Sequence, residues 1–170
     1  PEPWVIQREG DVPHRVALTF DDGPDGRWTP SILDTLKAYH APATFFLIGK
    51  NVESNLSLTR RIYREGHELG NHTFTHPDLS RTDPFISRLE LDATERIIEA
   101  VAGRRTLLFR APYFGDAEPT DKNELDPIGA ASDKGYITAG LHIDAFDWKE
   151  TSPSTIVANV LEQRRLGHVV

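Results

Sequence analysis

The chain has 170 residues, a formal net charge of −7 and no cysteine. That length suits one domain with a core able to fold without a metal or a disulfide, and the lack of cysteine excludes disulfides and thiolate metal sites while leaving the compartment open. No Lys/Arg-rich run is dense enough to follow a phosphate backbone, so nucleic acid is not an expected partner, and no apolar run approaches the roughly 18–20 residues of a membrane span.

The N-terminus, Pro1-Glu2-Pro3-Trp4, is neither a signal peptide nor an initiator methionine, and the chain reads as a piece of a longer protein. Short apolar β-rich runs then alternate with segments of helical period, which predicts an α/β fold with largely parallel strands. Residues 15–20 (RVALTF) form the first predicted strand, with Asp21 and Asp22 at its C-terminal end. A helix follows, N-capped by Thr29 with Pro30 in its first turn and with Ile32, Leu33, Leu36 and Tyr39 on its apolar face. Residues 43–48 (ATFFLI) have the continuous apolarity of a strand buried on both faces. A second helix ends near Glu65 with Gly66 just past it, and residues 67–70 deliver His72. Asp83-Pro84 opens the longest helix, in which Ile86, Leu89, Ala93, Ile97 and Val101 form one stripe that Gly103 terminates. Residues 107–109 are a strand delivering Arg110, 114–127 an acidic loop, 136–141 a strand delivering Asp144, and Ser152-Pro153 opens a last helix ending before Gly167. Every suspect residue therefore follows a strand, on the edge where active sites sit in barrels of βα units. No internal repeat or linker interrupts residues 1–170, which are read as one domain.

Singly, the chemical signals are weak. On a helical turn His72-x-x-x-His76 would place two imidazoles on one face, suited to a divalent ion, but a surface pair has the same spacing. Gly70, Asn71 and Pro77 confine it to a short turn. Asp21-Asp22-Gly23-Pro24 would pass for an acidic turn, except that two carboxylates directly after an apolar strand call for a compensating cation or arginine. A metal at Asp22 and Arg110 beside Asp21 would supply both. Arg110 alone could be a structural salt-bridge residue, yet its strand-end position before Pro112-Tyr113 suits a carboxylate clamp. Asp144, Asp147 and Trp148 could equally make an acidic turn with a packing tryptophan.

Taken together, TFDDGP at 19–24, HTFTH at 72–76, RAPY at 110–113 and DAFDW at 144–148 resemble, in order, the motifs of the NodB-type polysaccharide deacetylases. These are metal-dependent carbohydrate esterases that remove N- or O-acetyl groups from sugar polymers, and the resemblance runs from about 16 to 170. It implies a distorted (β/α) barrel, here lacking its last strand or strands, because the family's fifth motif, a histidine after a late apolar strand, is not found before the chain stops at LGHVV. His168 is read as an ordinary strand-edge histidine and not as that acid.

Carried over residue by residue, the resemblance implies a divalent metal, zinc by default, on Asp22, His72 and His76. Asp21 becomes the general base and Arg110 its clamp. The backbone N–H of Tyr113 is the oxyanion donor, Asp144 the partner of a catalytic-acid histidine, and Trp148 with Tyr113 the walls of a sugar-binding cleft. The implied activity is hydrolysis of acetyl groups from an N-acetylglucosamine-containing polysaccharide, in an extracytoplasmic or cell-envelope setting; a place within a larger multidomain envelope protein is a separate reading that stays open. Two other readings stay open: an esterase of O-acetylated xylan, and a non-catalytic carbohydrate-binding domain that keeps the metal site.

Overall fold

The apolar runs separated by helical periods assemble, in a computed structural model describing residues 5–6, 16–113 and 118–165, into an α/β fold whose six strands are all parallel. In chain order these elements are β1 (Val5–Ile6), β2 (Leu18–Gly23), α1 (Thr29–Ala38), β3 (Ala43–Leu47), α2 (Gly49–Ser54), α3 (Leu56–Arg64) and β4 (Glu68–Asn71). A 3₁₀ turn (Leu79–Arg81) leads to α4 (Pro84–Ala102), β5 (Leu108–Phe109), α5 (Lys122–Asp133), β6 (Ile137–Ala139) and α6 (Pro153–Arg165). The sheet order is β1-β6-β5-β4-β3-β2, so successive strands from β2 to β6 lie side by side, as in a barrel built of βα units and open, among the described residues, between β1 and β2. Parallel sheets need apolar cover on both faces. β3 meets that demand: Phe45 and Leu47 are buried in a core with Leu33, Leu36, Val52, Ile62, Leu69 and Ile98, and Phe46 is buried with its ring against the Arg110 guanidinium.

Several expectations are corrected by packing. Asp21 and Asp22 lie inside β2, where the pairing with β3 shifts register between Phe20 and Gly23, so the carboxylates occupy an irregularity in the strand. Such irregularities re-aim side chains. Thr29 is the first residue of α1, not its cap; the cap position is Trp28, and Asp25 Oδ1 organises the entry by accepting from the N–H groups of Arg27 and Trp28 at 2.8 Å each. Tyr39 lies beyond the helix and is exposed, while Leu33 and Leu36 are buried as anticipated. The single helix expected before Glu65 is two, broken at Asn55 (φ −138°, ψ 47°), and Gly66 does adopt a left-handed φ of 89° after α3.

In α4 the face turned inward is Ser87, Leu91, Thr94 and Ile98 rather than the more apolar stripe. Of that stripe, Ile97 and Val101 pack against the core, whereas Ile86 and Leu89 are about half exposed. A threonine can face inward because its hydroxyl donates to the Glu90 carbonyl of the previous turn at 2.9 Å. The loop expected over 114–127 becomes helix from Lys122, because Asp121 accepts from the N–H groups of Asn123 and Glu124, and Glu124 reaches back to Thr120 N–H. That Asp-x-x-Glu box was legible; Pro127, inside the helix and buried, had masked it. The strand β1, paired with β6, was not anticipated. His168 lies outside the described residues.

One core polar group makes stability depend on pH. His67 is 6% exposed, its Nδ1 accepts from Ala43 N–H at 3.2 Å, and burial holds its pKa below the usual 6.5. The unfolded chain then binds the proton more readily, so this contribution is complete above about pH 6.5 and declines as pH falls below it, by at most about 1.4 kcal/mol per pH unit. Urea denaturation at pH 7.5 and 5.5 should show a larger loss for the wild type than for His67→Gln; equal losses would refute this role.

Candidate metal and catalytic site

The C-terminal ends of β2, β4 and β5 open on one edge of the sheet, with β3 between β2 and β4, and the residues just inside or beyond them meet. Asp22 Oδ1 lies 3.4 Å from His72 Nε2 and 3.2 Å from His76 Nε2. One ligand atom from each of the three residues falls within 4.8 Å of the others. When their Nε2 atoms carry protons, the two imidazoles donate to Asp22 and hold its carboxyl well below the usual carboxylate range, against the opposing effect of partial burial. No helix makes this convergence. Residues 72–76 form a loop in which Thr73 (φ 65°) and His76 (φ 62°) both adopt left-handed backbone. Asp22 does likewise at φ 67°, with its carbonyl held by Asn51 Nδ2 at 2.7 Å.

The donor set fits a divalent cation. His72 is 3% exposed, and its Nδ1 is 2.7 Å from the Arg110 carbonyl, which can only accept, so Nδ1 carries the proton. In the neutral ring Nε2 is then a lone pair facing a carboxylate oxygen, two acceptors that a metal ion between them would satisfy. Metal-ligating histidines commonly anchor their other nitrogen in this way. The Asp22 side chain is 66% exposed, so the cluster is open to solvent.

Arg110 is the neighbouring anchor. Its guanidinium is buried and donates to Asp21 Oδ1 at 2.8 Å, Thr19 Oγ1 at 3.0 Å and the carbonyls of Ala139 and Gly140 at 3.0 and 3.1 Å, while lying 4.2 Å from the centre of the Phe46 ring. Asp21 therefore points to the arginine while Asp22 points to the histidines, so the adjacent carboxylates are divided between two partners. Tyr113 (φ 63°) sets its exposed ring edge-on to His76, centroids 4.7 Å apart.

Asp144 and Trp148 belong to the loop after β6. The Asp144 carboxylate accepts from Phe146 N–H at 2.8 Å and faces Trp148 Nε1 at 3.5 Å; its backbone is tied to Gln163 of α6. Trp148 is 74% exposed. The contacts of these two residues thus lie in their own loop and with α6, whereas Asp21, Asp22, His72, His76, Arg110 and Tyr113 form one contiguous group. Sequence reasoning missed Thr19, Asn51 and Asn71. Asn71, fully buried, donates to the Leu91 carbonyl and Tyr136 Oη at 2.9 Å each and accepts from Thr73 N–H at 2.9 Å. An asparagine directly before the first histidine of the pair was the available signal.

Fold and donor set thus define an α/β protein with a candidate divalent-metal site at the C-terminal edge of a parallel sheet. The polysaccharide deacetylase family profile matches residues 9–126, and the chain belongs to that family. It is 40% identical over 155 residues to a peptidoglycan-N-acetylglucosamine deacetylase of Bacillus cereus, covering 91% of this chain and 54% of that protein. It is 38% identical over 169 residues to a chitooligosaccharide deacetylase of Bradyrhizobium, covering 98% of this chain and 74% of that one. The chain therefore spans about half the length of the Bacillus cereus relative. Among solved structures, a CE4 family pseudoenzyme of Bacillus anthracis superimposes with a TM-score of 0.83 at 28% identity, over 96% of this chain and 56% of that one.

Removing the guanidinium would strand the Asp21 charge and two strand-end carbonyls. Arg110→Ala is expected to lower stability by about 3–5 kcal/mol, the scale for breaking a buried pair from one side, with the unfolding midpoint in urea as the measurement.

Proposed function

We propose that residues 1–170 form one metal-dependent catalytic domain that removes acetyl groups from the N-acetylglucosamine units of a polysaccharide, releasing acetate and leaving free amines. The observation carrying this reading is the division of labour between adjacent carboxylates, with Asp22 on the two histidines and Asp21 on Arg110. A pseudoenzyme among the structural neighbours means that the fold alone carries no activity. A module that only bound sugar would have no use for a second, arginine-clamped carboxylate beside the metal donors.

A divalent ion on Asp22, His72 and His76, for which zinc suits the nitrogen and oxygen donors, would supply Lewis-acid polarisation of the acetyl carbonyl and an acidified water. Asp21, aimed by Arg110, would take a proton from the attacking water. The backbone N–H of Tyr113 would donate to the oxygen on which charge develops. Trp148 and the Tyr113 ring, both exposed, would give apolar faces to sugar rings. For Asp144 the proposal is a positioning role toward the proton donor of the departing amine. The chain's own contribution there is the hold of Asp144 on the turn that carries Trp148. The kinship to deacetylases of peptidoglycan and chitooligosaccharide supports an acetylated envelope or chitin-like polymer as substrate and an extracytoplasmic setting. Among the described residues no helix is long and apolar enough to cross a membrane.

Elemental analysis of the chain saturated with zinc and desalted should find one metal per chain, and Asp22→Ala or His76→Ala should abolish it. Unchanged metal in both variants would overturn the site.

Asp21→Asn separates base from ligand. It should retain the metal and lower acetate release from an activated acetate ester, whose leaving group departs without a proton donor, at least about a hundredfold, the scale for loss of a general base. Loss of metal in this variant would mean that the two carboxylates exchange roles.

A further inference from the structure

We infer that Glu90, on α4, is a positioning residue for the metal site, the group that holds the loop 72–76 in the conformation bringing His72 and His76 together. This rests on reading those histidines as ligands. The loop spans two left-handed non-glycine residues, Thr73 and His76, and so adopts a conformation that its own sequence does not favour. Something outside it must fix that shape.

Its first residues are held from below. Thr73 N–H donates to Asn71 Oδ1 at 2.9 Å, and Thr73 Oγ1 accepts from His76 N–H at 3.1 Å. Its carbonyls are taken by the first turn of α2, where Gly49 N–H donates to Thr73 O at 2.9 Å and Lys50 N–H to Phe74 O at 3.0 Å. A side chain at position 49 would collide with the Phe74 ring and Thr94 Oγ1, so α2 can come this close only through a glycine. The amides at the loop's apex point the other way, and all go to one residue. Glu90 Oε2 accepts from Phe74 N–H at 2.7 Å and Thr75 N–H at 2.6 Å, and Oε1 accepts from Thr75 Oγ1 at 2.7 Å.

The loop is thus gripped through its carbonyls by α2 and through its amides by α4, with a ligand at each end. Glu90 sits within a 19-residue helix, so its carboxylate is placed by a rigid element. Deleting it releases Phe74 and Thr75 while leaving every ligand in the chain, and His76, at the far end of the loop, loses its fixed direction. Outer-shell partners of this kind typically change metal affinity 10–100-fold.

The isosteric variant isolates the mechanism. In Glu90→Gln the amide oxygen can occupy the Oε2 position and accept from both backbone N–H groups. The NH₂ then donates to Thr75 Oγ1, whose hydroxyl turns away. All three contacts survive, without the charge. Glu90→Ala loses all three.

The test is zinc affinity of the full chain, measured by competition with a chromophoric chelator, together with the visible absorption of the cobalt-loaded protein as a report of ligand geometry. Wild type and Glu90→Gln should bind zinc within about threefold of each other, with the same cobalt spectrum. Glu90→Ala should bind 10–100-fold more weakly, with an altered spectrum. If Glu90→Ala fails to fold, Thr75→Val removes one contact at an exposed position and should still weaken zinc severalfold. Affinity and spectrum unchanged in Glu90→Ala, even with a lowered melting temperature, would make Glu90 merely structural and overturn the inference. So would Glu90→Gln falling as far as Glu90→Ala, or Thr75→Val binding as wild type. Failure of the wild type itself to bind zinc would instead overturn the metal-site reading beneath it.

Discussion

A buried arginine is the constraint around which the site is organised. The Arg110 guanidinium cannot be left unpaired away from water, and its partners come from two other strands and the residue after one of them: Thr19 and Asp21 of β2, Ala139 at the end of β6, and Gly140 just beyond it. The backbone of the same residue is engaged as well, its N–H donating to the Asn71 carbonyl at 3.0 Å and its carbonyl accepting from His72 Nδ1. One residue therefore sets the aim of Asp21, the tautomer of His72 and the spacing of the strand ends. The ring of Phe46, from the most deeply buried strand, covers the cation.

Around that anchor, the backbone is strained where side chains have to converge. Asp22, Thr73, His76, Tyr113 and Phe146 all adopt left-handed φ, and of the described non-glycine residues that do so only His40 lies away from these strand-end loops. Such conformations persist when surrounding contacts over-determine them. Here the contacts are Asn51 on the Asp22 carbonyl, Asn71 beneath Thr73, and Asp144 on Phe146 N–H. Polar residues that a pattern-based reading treats as neutral are the ones that hold the chemistry in place.

Legibility followed the range of the forces involved. Gly66 and Gly103 were readable as helix ends because a left-handed residue after a helix is a local matter, and both have positive φ. β3 was readable because a strand buried on both faces must be apolar throughout. The inward face of α4 was not, since Ser87 and Thr94 face the interior where the more apolar Ile86 and Leu89 were available. That choice depends on what α4 meets, in particular the close approach of Gly49 to Thr94. Likewise α5 runs through Pro127, because an Asp-x-x-Glu cap and the burial of Ile128 and Ala131 outweigh one missing hydrogen bond.

By itself, the sequence determined the inventory and its order: carboxylates at the end of one strand, two histidines after another, an arginine after the next, and a β/α alternation that places strand ends on one edge. It determined the chemistry available, because donor types are a property of residues. Tertiary structure alone decided how those donors meet. His72 and His76 converge through a left-handed loop and not along a helix, and Asp21 and Asp22 diverge at an irregularity in β2 toward an arginine 89 positions away from Asp21 and histidines on another strand end. The physical reason is range: hydrophobic period and capping act over a few residues, whereas the direction of a carboxylate is settled by the partner that packing brings within hydrogen-bond distance.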